Sequence, residues 1–235
     1  MKVSIVIPAY NEEKYIEKTL AAALAQDYYN FEVIVVDNNS TDKTAEIVRK
    51  FPEARLVQEK NQGLTWARER GRLEAKGSII ANLDADCIPP KDWVRKSVKY
   101  FENKKVVAVT GPYSYYDGKL YFRVSSKLTQ KLIYSLVHLI LHDLFRKGTV
   151  MIGGNNFVRV EALQAIGGFN TKIKFYGEDT DLGKRLLKVG KIKYLNEIAI
   201  PSSARRFKNK GVVNIFFKYV INHFWMTFLG RPFSV

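Results

Sequence analysis

Three observations predict an α/β fold with a mixed, mostly parallel sheet flanked by helices. Short apolar runs at 3–7, 31–36, 55–57 and 78–83 alternate with helical patterns, the rhythm of right-handed βαβ units. The last run is apolar almost without interruption, as a strand covered on both faces is. Polar or acidic clusters follow the runs, at the position where open α/β sheets bind ligands.

The run 3–7 stops at Pro8, and Asn11-Glu12-Glu13 opens an amphipathic helix carrying Ile16, Leu20, Ala23 and Leu24. The run 31–36 closes on Asp37-Asn38-Asn39-Ser40-Thr41-Asp42, where Ser40 or Thr41 suits the cap of a helix over 43–51. A weaker strand at 55–57 and a helix over 63–74 precede the run 78–83, which delivers Asp84 and Asp86. Side chains alternate along an extended chain, so these two carboxylates point the same way. Like charges so close invite a divalent cation or a raised pKa.

Farther on, 106–110 reads as a strand, 111–118 as a tyrosine-rich loop and 121–145 as a helix. Its polar positions Lys127, Lys131, Tyr134, His138 and His142 recur every three or four residues against a wide apolar face, which suits docking on the core or on a membrane surface. Gly153-Gly154-Asn155-Asn156 reads as a bend or a close backbone approach to a ligand. There follow a short helix over 160–166, the acidic group Gly177-Glu178-Asp179-Thr180-Asp181 ahead of a helix ended at Gly190, a strand over 192–195 and a basic loop over 201–210. The tail 212–229 would extend roughly 27 Å as a helix. Asn214, Lys218 and Asn222 draw a polar stripe along it, so lying in a membrane interface or packing on the domain fits better than crossing.

Composition bounds the partners. The chain has 235 residues, 46% hydrophobic and 26% charged, enough for one large domain with an appendage and too apolar for wholesale disorder. Its net charge of +15 favours polyanions, anionic headgroups or phosphorylated substrates. The cations are dispersed and no helix-turn-helix, zinc or RNP-like pattern accompanies them, so no nucleic acid is expected. One cysteine, Cys87, excludes an internal disulfide and fits a reducing compartment. The opening residues are too short an apolar stretch for a signal peptide, and a cytoplasmic protein, peripheral on the cytoplasmic membrane face, is expected.

The groups Pro8-Ala9-Tyr10-Asn11-Glu12, Asp37-Asn38-Asn39-Ser40, Asp84-Ala85-Asp86 and Gly177-Glu178-Asp179, in that order and spacing, resemble the family 2 glycosyltransferases from Val3 to about Arg206. The resemblance implies the GT-A fold, an inverting transfer and a nucleotide-sugar donor, UDP-linked before GDP-linked. It implies that Pro8, Tyr10 and Glu12 line base and ribose, that Asp37 accepts hydrogen bonds from the base, and that Asn61 and Arg68 lie near the donor, Arg68 at a phosphate. Asp84 and Asp86 match the family's Asp-x-Asp pair, with Asp84 at the ribose or the metal's waters and Asp86 ligating Mg²⁺ or Mn²⁺. His223 is a candidate third ligand. Asp179 matches the catalytic base, Asn155 a position near donor sugar or acceptor, and Arg205 and Arg206 a basic motif that clamps diphosphate. Residues 1–210 form the domain, with a nucleotide-binding half over 1–110 and an acceptor half over 111–210, and 211–235 an amphipathic helical tail. A lipid-linked acceptor at the membrane surface is expected. The chain is short after Arg206 beside the family's multi-span synthases, so processive export is not expected.

Two other readings compete. A sugar nucleotidyltransferase needs a glycine-rich phosphate loop after the first strand, which Pro8-Ala9-Tyr10-Asn11-Glu12 does not supply; a dinucleotide oxidoreductase fails in the same way. A non-catalytic nucleotide- or membrane-surface module would keep the basic helices and show no turnover.

Overall fold

The computed structural model describes residues 1–173, 176–230 and 233, with the side chains of 209, 210, 213, 214, 216 and 224 outside that description. The core begins with strand β1 (Val3–Ala9), every residue of which is buried. Helix α1 (Ile16–Leu24) lays Ile16, Leu20 and Ala23 against the sheet, and β2 (Phe31–Asp37), α2 (Thr44–Val48) and β3 (Ala54–Gln58) follow. Helix α3 (Leu64–Glu74) approaches closely because Gly71 has no side chain: a Cβ there would overlap Val6. Strand β4 (Ile79–Leu83) then pairs parallel with β1, as β1 does with β2 and β2 with β3.

Alternation along these strands divides the core. Ile5, Ile7, Val33, Val35, Ala81 and Leu83 pack with Trp93, Phe101 and Phe157 on one face. Val6, Ile34, Val36 and Ile80 pack with Val158, Leu163, Leu182 and Leu186 on the other. Both faces are covered, which accounts for the unbroken apolar runs.

The second half departs from the reading of the sequence. Helix α4 (Trp93–Val98), ahead of β5 (Val106–Thr110), was not anticipated. The tyrosine-rich loop contains strand β6 (Tyr113–Tyr115). Residues 120–144 form one helical rod: α5 (Leu120–Thr129), a π turn at Gln130–Tyr134, α6 (Ser135–His138) and a second π turn at Leu139–Leu144. Gly153-Gly154 form the expected bend, closed by Asn155 N–H on the Ile152 carbonyl at 3.1 Å, and Asn155 and Asn156 then begin strand β7 (Asn155–Arg159), antiparallel to both β4 and β5. After α7 (Val160–Ala165), α8 (Glu178–Leu186) and β8 (Lys191–Tyr194), the segment read as a basic loop opens in β9 (Ile200–Ser202) and ends in α9 (Arg205–Lys210). The seven-stranded sheet has the order β3-β2-β1-β4-β7-β5-β8, and β6 pairs with β9 beside it.

Helix α10 (Val212–Phe224) and a π turn at Trp225–Leu229 lie on α8, with Ile215 and Met226 buried. Of its expected polar stripe, Asn214 is outside the described side chains, as are Phe216 and Phe224 of its apolar face. Asn222 faces inward, 1% exposed. No helix among the described residues is long and apolar enough to cross a membrane.

Candidate active site

The ends of β1, β2 and β4 converge with the N-terminus of α8. The bend after β4 is fixed by Thr19, whose hydroxyl donates to the Ala85 carbonyl at 2.7 Å, and by Cys87 N–H to the Asp84 carbonyl at 3.1 Å. Gly177, at φ 92°, makes the left-handed turn that sets Glu178 and Asp179 in the first turn of α8, where the helix dipole favours carboxylates. Five carboxylates, Glu12, Asp84, Asp86, Glu178 and Asp179, share two guanidinium groups there.

Arg68, from α3, is 3% exposed and stands 3.3 Å from Asp84, 3.4 Å from Asp179 and 3.6 Å from Glu178. Backbone without side chains closes over this group: a Cβ at Gly153 would overlap Asp179 and Arg68, and one at Gly154 the Asp84 carboxylate. The Tyr113 hydroxyl donates to Asp84 at 2.8 Å. Burial, then Asp179, pushes Glu178 well above the usual carboxylate range. Burial also raises Asp179, against the opposing pull of Arg68. The two carboxyls therefore titrate as a pair.

Arg205, at the start of α9, joins Asp86 at 2.9 Å to Glu12 and lies on the Tyr15 ring, 4.5 Å from its centroid. Burial pushes Glu12 up to about 6, although Arg205 works against it. Burial and then Asp84 raise Asp86. A cavity of about 430 Å³ opens beside Arg205, lined by Asn11, Lys14, Tyr15, Asp117 and Lys208 among others.

The other expected residues are distributed as follows. Tyr10 stands half-exposed at the cleft edge, and Pro8 is buried in β1. Asp37 is buried at the end of β2 and already accepts from Ser40 N–H at 3.2 Å and the Gln58 amide at 2.8 Å; carboxylate oxygens keep further acceptor capacity. Asn61 is exposed, its carbonyl bonded by Asn38. Arg206 donates to the Tyr219 hydroxyl at 2.6 Å. Arg68, expected at a phosphate, is directed into carboxylates. Asn155, expected near the sugar, lies in the core: its oxygen accepts from Trp93 Nε1 at 3.0 Å, and its amide donates to the carbonyls of Pro112 and Ile198. His223, the expected third ligand, lies with Nδ1 3.2 Å from the Thr180 hydroxyl.

Reading of the sequence missed Tyr113, the Arg68 hub and Asn38, whose side chain ties the loop after β2 to Glu59, Asn61 and Gly63. Only Asn38, inside the Asp-Asn-Asn-Ser group, carried a local signal. Among the described residues, the one three-member group of metal-type donors is His138, His142 and Asp143. There Ile192 N–H donates to His142 Nε2, which places the ring proton on Nδ1 facing Asp143. Those atoms are engaged as a hydrogen-bonded network.

An excess of hard, acidic oxygen donors with a cation already on Asp86 fits a divalent ion of the Mg²⁺ or Mn²⁺ type. The sequence model of Glycosyl transferase family 2 matches residues 4–167. The glycosyltransferase AglE of Haloferax volcanii is 32% identical over 196 residues, covering 80% of this chain and 62% of that protein, so this chain spans less than two thirds of that relative. Among solved structures, the mannosyltransferase PcManGT from Pyrobaculum calidifontis, in complex with GDP-Man and Mn²⁺, superposes with a TM-score of 0.70 at 23% identity, over 93% of this chain and 64% of that one. TarS 1–349 of S. aureus in complex with UDP-GlcNAc gives 0.68 at 22% identity, over 87% and 59%. These two likenesses carry the GT-A fold, and the match over most of its length carries the family: this chain belongs to glycosyl transferase family 2.

Proposed function

We propose that the chain transfers a sugar from a nucleotide-sugar donor, UDP-linked in preference to GDP-linked, to an acceptor hydroxyl presented at a membrane surface, with inversion at the anomeric carbon. The observation that carries this reading is the meeting of Asp84 and Asp86 with Glu178 and Asp179 at one cleft end, joined through Arg68 and faced by Arg205. Structural relatives that bind UDP-GlcNAc and GDP-Man support the donor class.

Burial raises both Glu178 and Asp179, and Arg68, 3.4 Å from Asp179, works against that rise and favours the carboxylate a base needs. Asp179 takes the acceptor's hydroxyl proton as that oxygen bonds to the anomeric carbon; the bond from that carbon to the diphosphate oxygen breaks, and the nucleoside diphosphate leaves. Asp86, with Asp84, would hold a Mg²⁺ or Mn²⁺, which when bound supplies positive charge to the leaving diphosphate. In this reading Arg205 and Arg206 would donate to the same oxygens, and Tyr10 would offer its half-exposed ring to the base.

Incubating the protein with Mn²⁺ and a panel of nucleotide sugars tests the reading. One donor is expected to be turned over, and Asp179→Asn should retain nucleotide binding by calorimetry while losing transfer by about 10²–10⁴-fold. Full activity in Asp179→Asn would remove the base assignment. Nucleotide binding with no turnover of any donor would reduce the chain to a binding module.

A further inference from the structure

A surface helix ordinarily turns its polar side to water. The rod over 120–144 instead buries polar side chains and leaves a row of leucines outside, beside the exposed Arg123, Lys127 and Lys131. Gln130, His138 and His142 are buried, while Leu120, Val124, Leu128, Leu132 and Leu136, four residues apart, are each more than half exposed. The α turns and wider π turns alternate, so a four-residue spacing drifts little around the rod.

The buried polar groups fix this orientation. Gln130 bonds both the N–H and the carbonyl of Tyr113, His138 bonds Thr149 at 2.8 Å, and His142 accepts from Ile192 N–H at 3.0 Å. The C-terminal helix repeats the arrangement, with Asn222 inside and Phe217, Phe228 and Leu229 more than half exposed. So much outward apolar surface marks an interaction site.

Where the two helices end, a cavity of about 410 Å³ is lined by Arg146, Lys147, Lys184 and Lys188, with Leu187, Thr227 and Phe228, and by no carboxylate. Lys184 donates to the Met226 and Thr227 carbonyls, the ordinary use of a cation at a helix C-terminus. Arg146, Lys147 and Lys188 are exposed and form no ion pair among the described residues. The Thr227 hydroxyl is buried without a hydrogen-bond partner. Leu144 and Phe145 adjoin Arg146 in the chain, and both are exposed.

We propose that this face docks on an anionic phospholipid bilayer, with the apolar stripes in the headgroup boundary and a lipid phosphate seated in the four-cation cavity. Charge decides for the bilayer over a second copy of the chain, because a two-fold contact centred on the cavity would set cations against cations. The inference deepens the membrane-surface reading of the acceptor and rests on it for what the docking serves. Helix α8 carries Asp179 at one end and Lys184 near the other, and the seven residue steps from Asp179 to Leu186 rise only ~10 Å.

The full chain should float with vesicles of phosphatidylcholine containing about one-third phosphatidylglycerol and far less with phosphatidylcholine alone. The triple variant Arg146→Gln, Lys147→Gln, Lys188→Gln should lower the partition coefficient roughly 100-fold, about fivefold per cation. A charge-matched control, Lys50→Gln, Lys76→Gln, Lys104→Gln, should lower it by about threefold or less, since those charges are not at the cavity. Leu128→Glu with Leu132→Glu should abolish binding. Equal loss in the two triple variants, equal binding to neutral vesicles, release by millimolar inorganic phosphate at matched ionic strength, or a dimer in light scattering that Leu132→Glu dissociates would each overturn the proposal. Hydrolysis of a soluble donor, unchanged in the cavity variant, separates this failure from failure of the transfer reading.

Discussion

Arg68 and Arg205 each hold carboxylates together in the same cleft, and they are held in opposite ways. Arg68 is almost fully buried, comes from a helix pinned to the sheet at Gly71, and is walled in by Gly153 and Gly154. Arg205 has about a third of its side chain exposed (34%), rests on one face of Tyr15, and stands on a helix that begins just after the last strand. The first guanidinium is part of the frame that fixes Asp84, Glu178 and Asp179. The second occupies a cation position at Asp86; in the proposed mechanism a metal would take that position over and free the arginine for the diphosphate. The proposed mechanism would use both arrangements, a fixed base and a releasable cover.

Removing the fixed cation gives the largest expected effect. Arg68→Gln leaves buried carboxylates without their counter-charge, and a loss of about 3–5 kcal/mol is expected in denaturant unfolding. Arg68 pulls the Asp179 carboxyl down against its burial, so the variant should also ionise Asp179 only at higher pH. Activity rises as the base ionises, and the acid limb of the pH–rate profile must therefore move upward. A limb unmoved in a folded Arg68→Gln protein would show that Arg68 does not govern Asp179.

Gly154→Ala perturbs the same group without changing charge. Its new methyl overlaps the Asp84 carboxylate, and about 1–3 kcal/mol of stability is expected to go, together with weaker Mn²⁺ binding. Wild-type Mn²⁺ affinity in this variant would mean that Asp84 need not hold its observed position.

The same contrast explains what could be read from the sequence. The βα units up to Asp86 are built by neighbours in the chain, so periodicity and strand ends place β1 to β4 within a few residues; the alternation expected for Asp84 and Asp86 does not hold, because the chain turns after Leu83, and Asp84 meets Arg68 while Asp86 meets Arg205. Strand β7 enters between β4 and β5 from far along the chain, and its two asparagines, coming straight after the Gly153-Gly154 turn, look like part of that turn until two flanking strands supply partners. Asn155 misleads for that reason: a polar residue in a glycine-rich segment suggests a ligand, yet its three hydrogen bonds go to Trp93, Pro112 and Ile198, remote from it in sequence. Asn155→Ala should cost about 1–3 kcal/mol, since it leaves the Trp93 indole N–H unpaired, and donor KM should stay unchanged. A selective rise in KM would return Asn155 to the donor site. Arg68 was expected near the donor, but a single basic residue on a helix does not disclose that its partners are acids from Asp84 and from the start of α8.

The smallest effect on stability and the most informative on binding is expected for Arg205→Gln. Its ion pairs are partly open to solvent, so on the order of 1 kcal/mol or less should be lost at neutral pH. Glu12 has its folded pKa raised from 4.5 to about 6, so the folded state binds the proton more tightly and stability falls as pH rises from 4.5 through about 6, by about 2 kcal/mol. Arg205 opposes that rise, and the variant should extend the decline to higher pH. Without the competing guanidinium on Asp86, Mn²⁺ alone should bind several-fold more tightly by calorimetry, while a nucleoside diphosphate in the presence of Mn²⁺ should bind more weakly. If Arg205 were as fixed as Arg68, both affinities would fall together, and the cover would be a second piece of frame.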